Sequence, residues 1–289
     1  MVNVFESIRA HPSYNKLAIG DFLFAEYTCG ATEKLLPNWT ETDFLVHVVT
    51  GKKTWHTHDG VWRAVPGETL FFKKGANIVE QHFEEDVCML MFFIPDRLVR
   101  DTVRELVGNL NSHRSAMTTL KSAAHVENDL GLSAFFQSMR VYFSGKERPS
   151  EPLIRLKLKE LIISVMTSGR NAALAAYFRK IGECDAPPVS EIMEANFRFN
   201  LSLEEYARLC HRSLSSFKRE FQTIFREPPG KWLLRKRLDH AATLLRNSER
   251  SVTDVAFDSG FEDVSHFSRA FKNQFGESPA AFRKVLQIA

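Results

Sequence analysis

The chain of 289 residues is short of several features that would have assigned it quickly. Its longest apolar stretch, Val87 to Pro95, falls far below the ~20 residues of a membrane-spanning helix. The opening MVNVFESIRAHPS has no basic segment followed by an apolar one, so no secretory signal is expected and a cytoplasmic location is. Cysteine is scarce: Cys29, Cys88, Cys184 and Cys210 are scattered, with no C-x-x-C pair, which argues against a disulfide framework and a zinc knuckle. G-x-S-x-G, P-loop and dinucleotide-binding fingerprints are missing, so nothing marks a common enzyme class. What is present is ordinary for a globular protein, with 44% hydrophobic and 25% charged residues. At about 100 to 200 residues per domain, the length suggests two domains.

The formal net charge of +3 is unevenly placed. Residues 189–289 hold 16 Lys and Arg against 13 Asp and Glu, leaving 22 of each before them. The excess is mild, and a solvated basic face would account for it as well as a nucleic-acid partner would.

Up to about residue 95 the sequence reads as short strands. FLVHVVTG (44–51), KTWHTHDG (53–60), VWRAV (61–65), TLFFKKG (69–75) and DVCMLMFFIP (86–95) are aromatic and β-branched runs broken by glycine, proline and Asp-Gly. Asp59-Gly60 suggests a type I′ hairpin, and the even spacing a small barrel or sandwich. From Asp96 the apolar period becomes helical through Leu98, Val99, Val103, Leu106, Val107 and Leu110. Helices are expected again over 130–143 and 153–167, the second able to cover the barrel or pair with a second copy of itself. GECDAPP (182–188) is too polar and proline-rich to continue a helix. The expected organisation is therefore a first domain over 1–182, a linker over 183–188 and a second domain over 189–289.

The second domain contains an internal repeat. Leu203, Ala207, Phe217, Phe221, Phe225 and Pro229 recur in order as Val252, Ala256, Phe267, Phe271, Phe275 and Pro279. The offset is 49 residues up to the alanine and 50 from the first phenylalanine, so one residue has been inserted in a turn. Trp232 and Phe282 continue the match. Each copy reads as a short helix, a turn and a second helix with phenylalanine at i, i+4 and i+8. A small alanine lets the two helices cross closely, which is the demand of a helix-turn-helix.

If the phenylalanine stripes face inward, Ser215, Lys218, Arg219 and Gln222 face outward in the first copy, and Val264, Ser265, Ser268, Arg269 and Lys272 in the second. Arginine at the same place in both copies suits guanine N7 and O6 in a major groove. Any one such stripe is more commonly a solvated face, but two with one layout favour double-stranded DNA as the partner. Between the copies, residues 229–247 fit a helix about 28 Å long, able to hold two recognition helices near the ~34 Å turn of B-DNA. Arg212 and Lys231 are candidate phosphate contacts, and Arg235, Lys236 and Arg237 stand in the same basic cluster.

Over 189–286 these motifs resemble the AraC-type transcription regulators, above all in SVTDVAFDSGFEDVSHFSRAFKNQFGESPAAFRK (251–284). The resemblance implies an α+β protein: an N-terminal cupin-like β-barrel with helices, and a C-terminal all-α domain with two helix-turn-helix motifs. It implies base-edge roles for Ser215, Lys218, Arg219, Val264, Ser265, Ser268 and Arg269, and helix-packing roles for Ala207, Ala256, Gly260 and Phe261. An activator acting on RNA polymerase, homodimerisation and a small-molecule or protein effector are implied in turn. The first copy departs from the pattern with Cys210-His211-Arg212 where the second has Ser259-Gly260-Phe261, and Val264 suits a thymine methyl better than a hydrogen bond. The N-terminal half is similar, more loosely, to the domains of regulators of secretion systems.

His56 and His58, with His82 beyond, could meet a metal as in metal-dependent cupins, yet the glutamate of that motif is missing and hydrogen-bonded strand histidines are the plainer reading. No metal or cofactor is assigned. Phe22, Phe24, Trp55, Trp62, Phe71 and Phe92 are candidates to line an effector cavity, or simply to fill the core, the default in a small barrel. The rival functions are a cupin-type metal enzyme with an appended helix-turn-helix domain and a protein-interaction adaptor.

Overall fold

The computed structural model describes residues 1–28, 33–107, 120–145 and 148–288, the last five without their side chains. Cys29 and Leu110 lie outside the described residues. The chain divides into two compact units, Met1–Pro187 and Pro188–Ala289.

The first unit runs β1 (Val2–Asn3), α1 (Val4–Ala10), β2 (Asn15–Ile19), β3 (Phe22–Thr28), β4 (Leu35–Thr40), β5 (Asp43–Thr50), β6 (Lys53–Thr57), β7 (Gly60–Ala64), β8 (Thr69–Phe72), β9 (Gly75–Glu80), β10 (Cys88–Ile94), α2 (Asp96–Val107), β11 (Ala123–Val126), α3 (Leu130–Ser144), α4 (Glu151–Thr167) and α5 (Ala172–Glu183). Its strands form two sheets, ordered β1-β4-β9-β6-β7 and β11-β8-β5-β10-β3-β2. No ladder joins them among the described residues, so the expected barrel is open and only loosely cupin-like.

Alternation along the strands builds three layers. In β3 and β10, Leu23, Ala25, Met91 and Phe93 pack toward Trp55, Ala64 and Val79 of the smaller sheet. Their neighbours Phe24, Leu90 and Phe92 turn to the other face and meet Leu132 and Phe135 of α3, Leu158 of α4 and Phe178 of α5. Because the larger sheet is covered on both faces, its strands read as nearly unbroken apolar runs such as CMLMFFI.

Two local expectations are corrected. The β6–β7 hairpin turns at His58-Asp59, since Thr57 pairs with Gly60, and none of these residues takes positive φ, so the turn is not type I′. Asp59 holds it instead, its carboxylate accepting from Thr57 Oγ1 at 2.9 Å and from the Ser122 amide at 2.8 Å. Helix α5 continues through Gly182 to Glu183 rather than ending before them. Gly182 serves there as a contact point, because a Cβ would stand 2.6 Å from Val103 on α2.

The second unit is helical: α6 (Val189–Asn196), α7 (Leu203–Leu209), α8 (Leu214–Phe225), α9 (Pro229–Asn247), α10 (Val252–Asp258), α11 (Val264–Phe275) and α12 (Pro279–Ile288). Its helix starts follow from the sequence. Ser202 caps α7 in a capping box with Glu205, Ser213 caps α8, and Ser251 and Asp263 cap α10 and α11. Proline opens α9, where its missing N–H costs nothing. The repeat is a repeat of packing. Phe221 and Phe225 meet Trp232 at 5.9 and 5.0 Å between ring centroids, as Phe271 and Phe275 meet Phe282 at 5.3 and 5.6 Å.

Candidate nucleic-acid interface

Burial of the phenylalanine stripes fixes what the recognition helices present. Phe217 and Phe221 on α8, and Phe267 and Phe271 on α11, are fully buried. Ser215, Lys218, Arg219 and Gln222 are consequently exposed on α8, and Ser265, Arg269 and Lys272 on α11, with Ser268 half-buried beside them. The side chains of Lys218, Arg219 and Lys272 make no ion pair among the described residues. Arg269 reaches back only to its own helix, Nε donating to the Ser265 carbonyl at 3.4 Å. The terminal nitrogens of these four side chains make no hydrogen bond among the described residues. Val264 differs from its companions: half-buried, it packs on the core formed by Leu238, Val255 and Phe267.

The two residues expected to touch phosphate separate. Lys231, near the start of α9, is exposed and makes no ion pair among the described residues. Arg212 is drawn into the turn of the first motif, its Nε and Nη2 donating to the Glu220 carboxylate at 2.5 and 3.0 Å and its Nη1 to the Cys210 carbonyl at 2.5 Å. That bidentate pair makes Arg212 a brace between the turn and α8. Cys210 lies buried under it, and burial pushes its thiol up to about 12.

The remaining cations of α9 are engaged as well. Arg235 bonds Glu227 at 2.5 Å, and Lys236 bonds Glu194 at 2.7 Å. Arg237 points into the unit, Nε donating to the Phe197 carbonyl at 2.7 Å and Nη2 to the Phe199 carbonyl at 2.9 Å. Its guanidinium is thereby held inside the unit, on the turn of α9 that also carries buried Leu238 and Ala241.

A cavity of about 560 Å³ opens in the first unit, between α1 and the two sheets. Ile8, Tyr14, Tyr27, Lys53, Trp55 and Asn77 are among the residues lining it. Of the six aromatics put forward for this role, only Trp55 does so. Phe22, Phe24, Phe71 and Phe92 belong to the core between the larger sheet and the helices, and Trp62 packs half-buried on the edge of the inter-sheet core. The reason is strand alternation: the faces carrying these phenylalanines are sealed by α3, α4 and α5. Two buried polar residues, Lys53 and Asn77, also line the cavity. Lys53 is buried with Nζ 4.8 Å from the centre of the Tyr27 ring, and Asn77 is buried with an Oδ1 that accepts no hydrogen bond among the described residues. Lys53 stands two residues before Trp55, so the period of a strand already placed them on one face.

The three histidines are dispersed. His56 bonds Glu80 at 2.9 Å, His58 bonds Ser122 at 2.8 Å and His82 bonds Thr54 at 2.9 Å. The bond from His56 holds the Glu80 carboxyl below its ordinary range. Among the described residues no group of three or more His, Cys, Asp or Glu side chains is placed to hold a metal. No helix of the described residues is long and apolar enough to cross a membrane.

Comparison with known proteins agrees with this division of labour. Residues 43–177 match the family model of the ExsA N-terminal regulatory domain, and residues 206–285 that of a helix-turn-helix domain. The chain is 24% identical over 241 residues to the virulence regulon transcriptional activator VirF of Yersinia enterocolitica, covering 83% of this chain and 89% of that one. It is 22% identical over 237 residues to the HTH-type transcriptional regulator ExsA of Pseudomonas aeruginosa, covering 82% and 84%. Among solved structures it is similar to ToxT from Vibrio cholerae, with 14% identity and a TM-score of 0.42 across 91% of this chain and 98% of that one. With a regulatory-domain match on the sheet-rich unit and a helix-turn-helix match on the helical one, the chain belongs to the AraC-type transcription regulators, which are sequence-specific DNA-binding proteins.

Proposed function

We propose that one chain reads two successive major grooves of double-stranded DNA, α8 entering one and α11 the next. Arg219 and Arg269 are assigned to base edges, with Ser215, Lys218, Gln222, Ser265, Ser268 and Lys272 beside them and Lys231 on phosphate. Val264 offers the apolar edge of a half-buried side chain. The observation that carries this reading is the pair of exposed arginines at the same place in both repeats, each on a helix whose first two stripe phenylalanines are fully buried. Side-chain forks whose terminal nitrogens are left for an outside acceptor suit bidentate contact to guanine.

The protein is taken to act as an activator in the cytoplasm, touching RNA polymerase from a promoter site, with no catalytic role. Its effector is taken to be a small molecule that occupies the 560 Å³ cavity, where Lys53 and Asn77 supply polar anchors in an otherwise mostly apolar lining. Two chains are taken to associate through α4, whose Leu156 and Ile163 stay outside the core.

Random-site selection on double-stranded DNA with the purified full chain tests the reading. Selected sequences are expected to contain two short elements about 10 base pairs apart. Retention of DNA with a single element, or with none, counts against it.

A further inference from the structure

The five-residue loop after α6, Phe197 to Leu201, is where the two helix-turn-helix motifs and α9 come together. On the side of the first motif, the Tyr206 hydroxyl on α7 donates to the Asn196 carbonyl at 2.8 Å, and Tyr206 is fully buried. From α9, the Arg237 guanidinium donates to the carbonyls of Phe197 and Phe199 at 2.7 and 2.9 Å. His240, one turn along α9, meets the Phe197 ring at 5.7 Å and Arg198 Nη1 at 3.4 Å. On the side of the second motif, the Asn200 amide donates to the Glu262 carboxylate. The turn of that motif presses on the same loop at Gly260, where a Cβ would stand 2.6 Å from the Arg198 carbonyl oxygen and 3.0 Å from Arg237 Nε.

These contacts answer a question the sequence left open. The turns of the two motifs use different residues, His211 at φ 54° and Gly260 at φ 86°. Both occupy the left-handed region, so conformation alone does not demand glycine in only one of them. His211 is exposed, whereas Gly260 is buried against the loop and Arg237. Glycine is required in the second turn because that turn is docked on the loop, where a side chain at 260 would meet the Arg198 carbonyl and the Arg237 guanidinium.

We propose that Arg237 is a positioning residue that fixes the separation of the two recognition helices, and through it the spacing between DNA elements that the protein accepts. Its fork holds the loop on which the second motif is seated, so the second motif is referenced to α9 by Arg237 as well as by its own helix packing. A lysine has one point charge in place of a planar fork and cannot hold two carbonyls in fixed geometry. This inference rests on the reading in which both motifs engage DNA at once.

The test uses the full chain and duplexes carrying the two selected elements at separations stepped one base pair at a time, from about 8 to 13 base pairs centre to centre. A duplex with one element alone serves as reference. The wild-type protein is expected to show one sharp optimum, with binding at least about tenfold weaker two base pairs away. R237K is expected to flatten that profile to within about threefold while its affinity for the single-element duplex stays within about twofold of wild type. N200A, which removes an exposed latch and no buried group, is expected to broaden the profile in the same direction and serves as the deciding variant if R237K does not fold. A uniform loss at every separation, with the wild-type profile retained in both variants, would overturn the proposal. A wild-type profile with no optimum would instead overturn the two-groove reading on which it stands.

Discussion

The two helix-turn-helix motifs share a packing plan and differ in how their turns are made. The first turn bends through His211 and is braced by the Arg212–Glu220 pair, while the second bends through Gly260 against the loop after α6. The first recognition helix is capped by neutral Ser213 and closed by Arg226 in a left-handed conformation at φ 59°. The second is capped by Asp263, whose carboxylate the Ser265 and His266 amides hold below its ordinary range, and is closed by Gly276 at φ 84°. A repeat therefore conserves its buried stripe and lets its turns answer to different neighbours. The first turn is braced from within its own motif, and the second is seated against the loop after α6.

If that contrast is right, the largest effect of any single change falls on DNA binding through the shared element. Replacing Arg219 or Arg269 by alanine should each weaken binding to the selected site by about 1 to 3 kcal/mol and relax preference at one base pair only. Competition against sites mutated one pair at a time checks this, and equal loss on all sequences would reassign both arginines to phosphate.

Next in size is stability. Gly260→Ala should destabilise the helical unit by about 1 to 3 kcal/mol, since the new Cβ meets strain at positive φ and backbone oxygen at close range. His211→Gly should be neutral or raise stability by up to about 1 kcal/mol. Calorimetry of the full chain distinguishes them, and equal effects at both turns would erase the proposed asymmetry.

The two candidate phosphate residues sharpen the same contrast. Lys231→Ala should weaken binding on all sequences alike and reduce the slope of log affinity against log salt by about 1. Arg212→Ala should leave that slope unchanged and act on stability, because its partners are Glu220 and the Cys210 carbonyl. A salt-slope change in the Arg212 variant would return it to the interface.

The smallest expected effect is a pH dependence carried by His240 beside the anchored motif. Burial, and then the Arg198 charge, lower its pKa from the ordinary 6.5 to about 4. Below pH 6.5 the unfolded chain takes up a proton there that the folded chain refuses until about pH 4, so the stability of the helical unit should fall through that window. His240→Gln should flatten that part of the pH profile; an unchanged profile would remove His240 as its source.

Much of this molecule was legible in its sequence because the strongest signals are local. Ser202, Ser213 and Ser251 mark helix starts by capping chemistry, and the phenylalanine spacing marks the buried stripe without reference to anything distant. The outward residues of α8 followed by subtraction. The N-terminal cavity did not follow, because Phe24, Phe92 and Trp55 look alike in sequence and are sorted only by which face of a sheet the helices cover. β2, β3, β4 and β9 were also missed, being more polar or set apart from the aromatic runs. The internal partners of Arg212 and Arg237 were hidden for a related reason. A cation is assigned to DNA by its charge, but its partners here, Glu220 and the carbonyls of Phe197 and Phe199, are brought to it only by the turn and by the packing of α6 on the unit.

Engagement of one duplex by both motifs together is measured directly by guanine N7 methylation interference on the selected site. The wild-type protein should reveal two groups of interfering guanines about 10 base pairs apart on one face of the duplex, with Arg219→Ala erasing one group and Arg269→Ala the other. A single group, or both groups lost together in either variant, would contradict it.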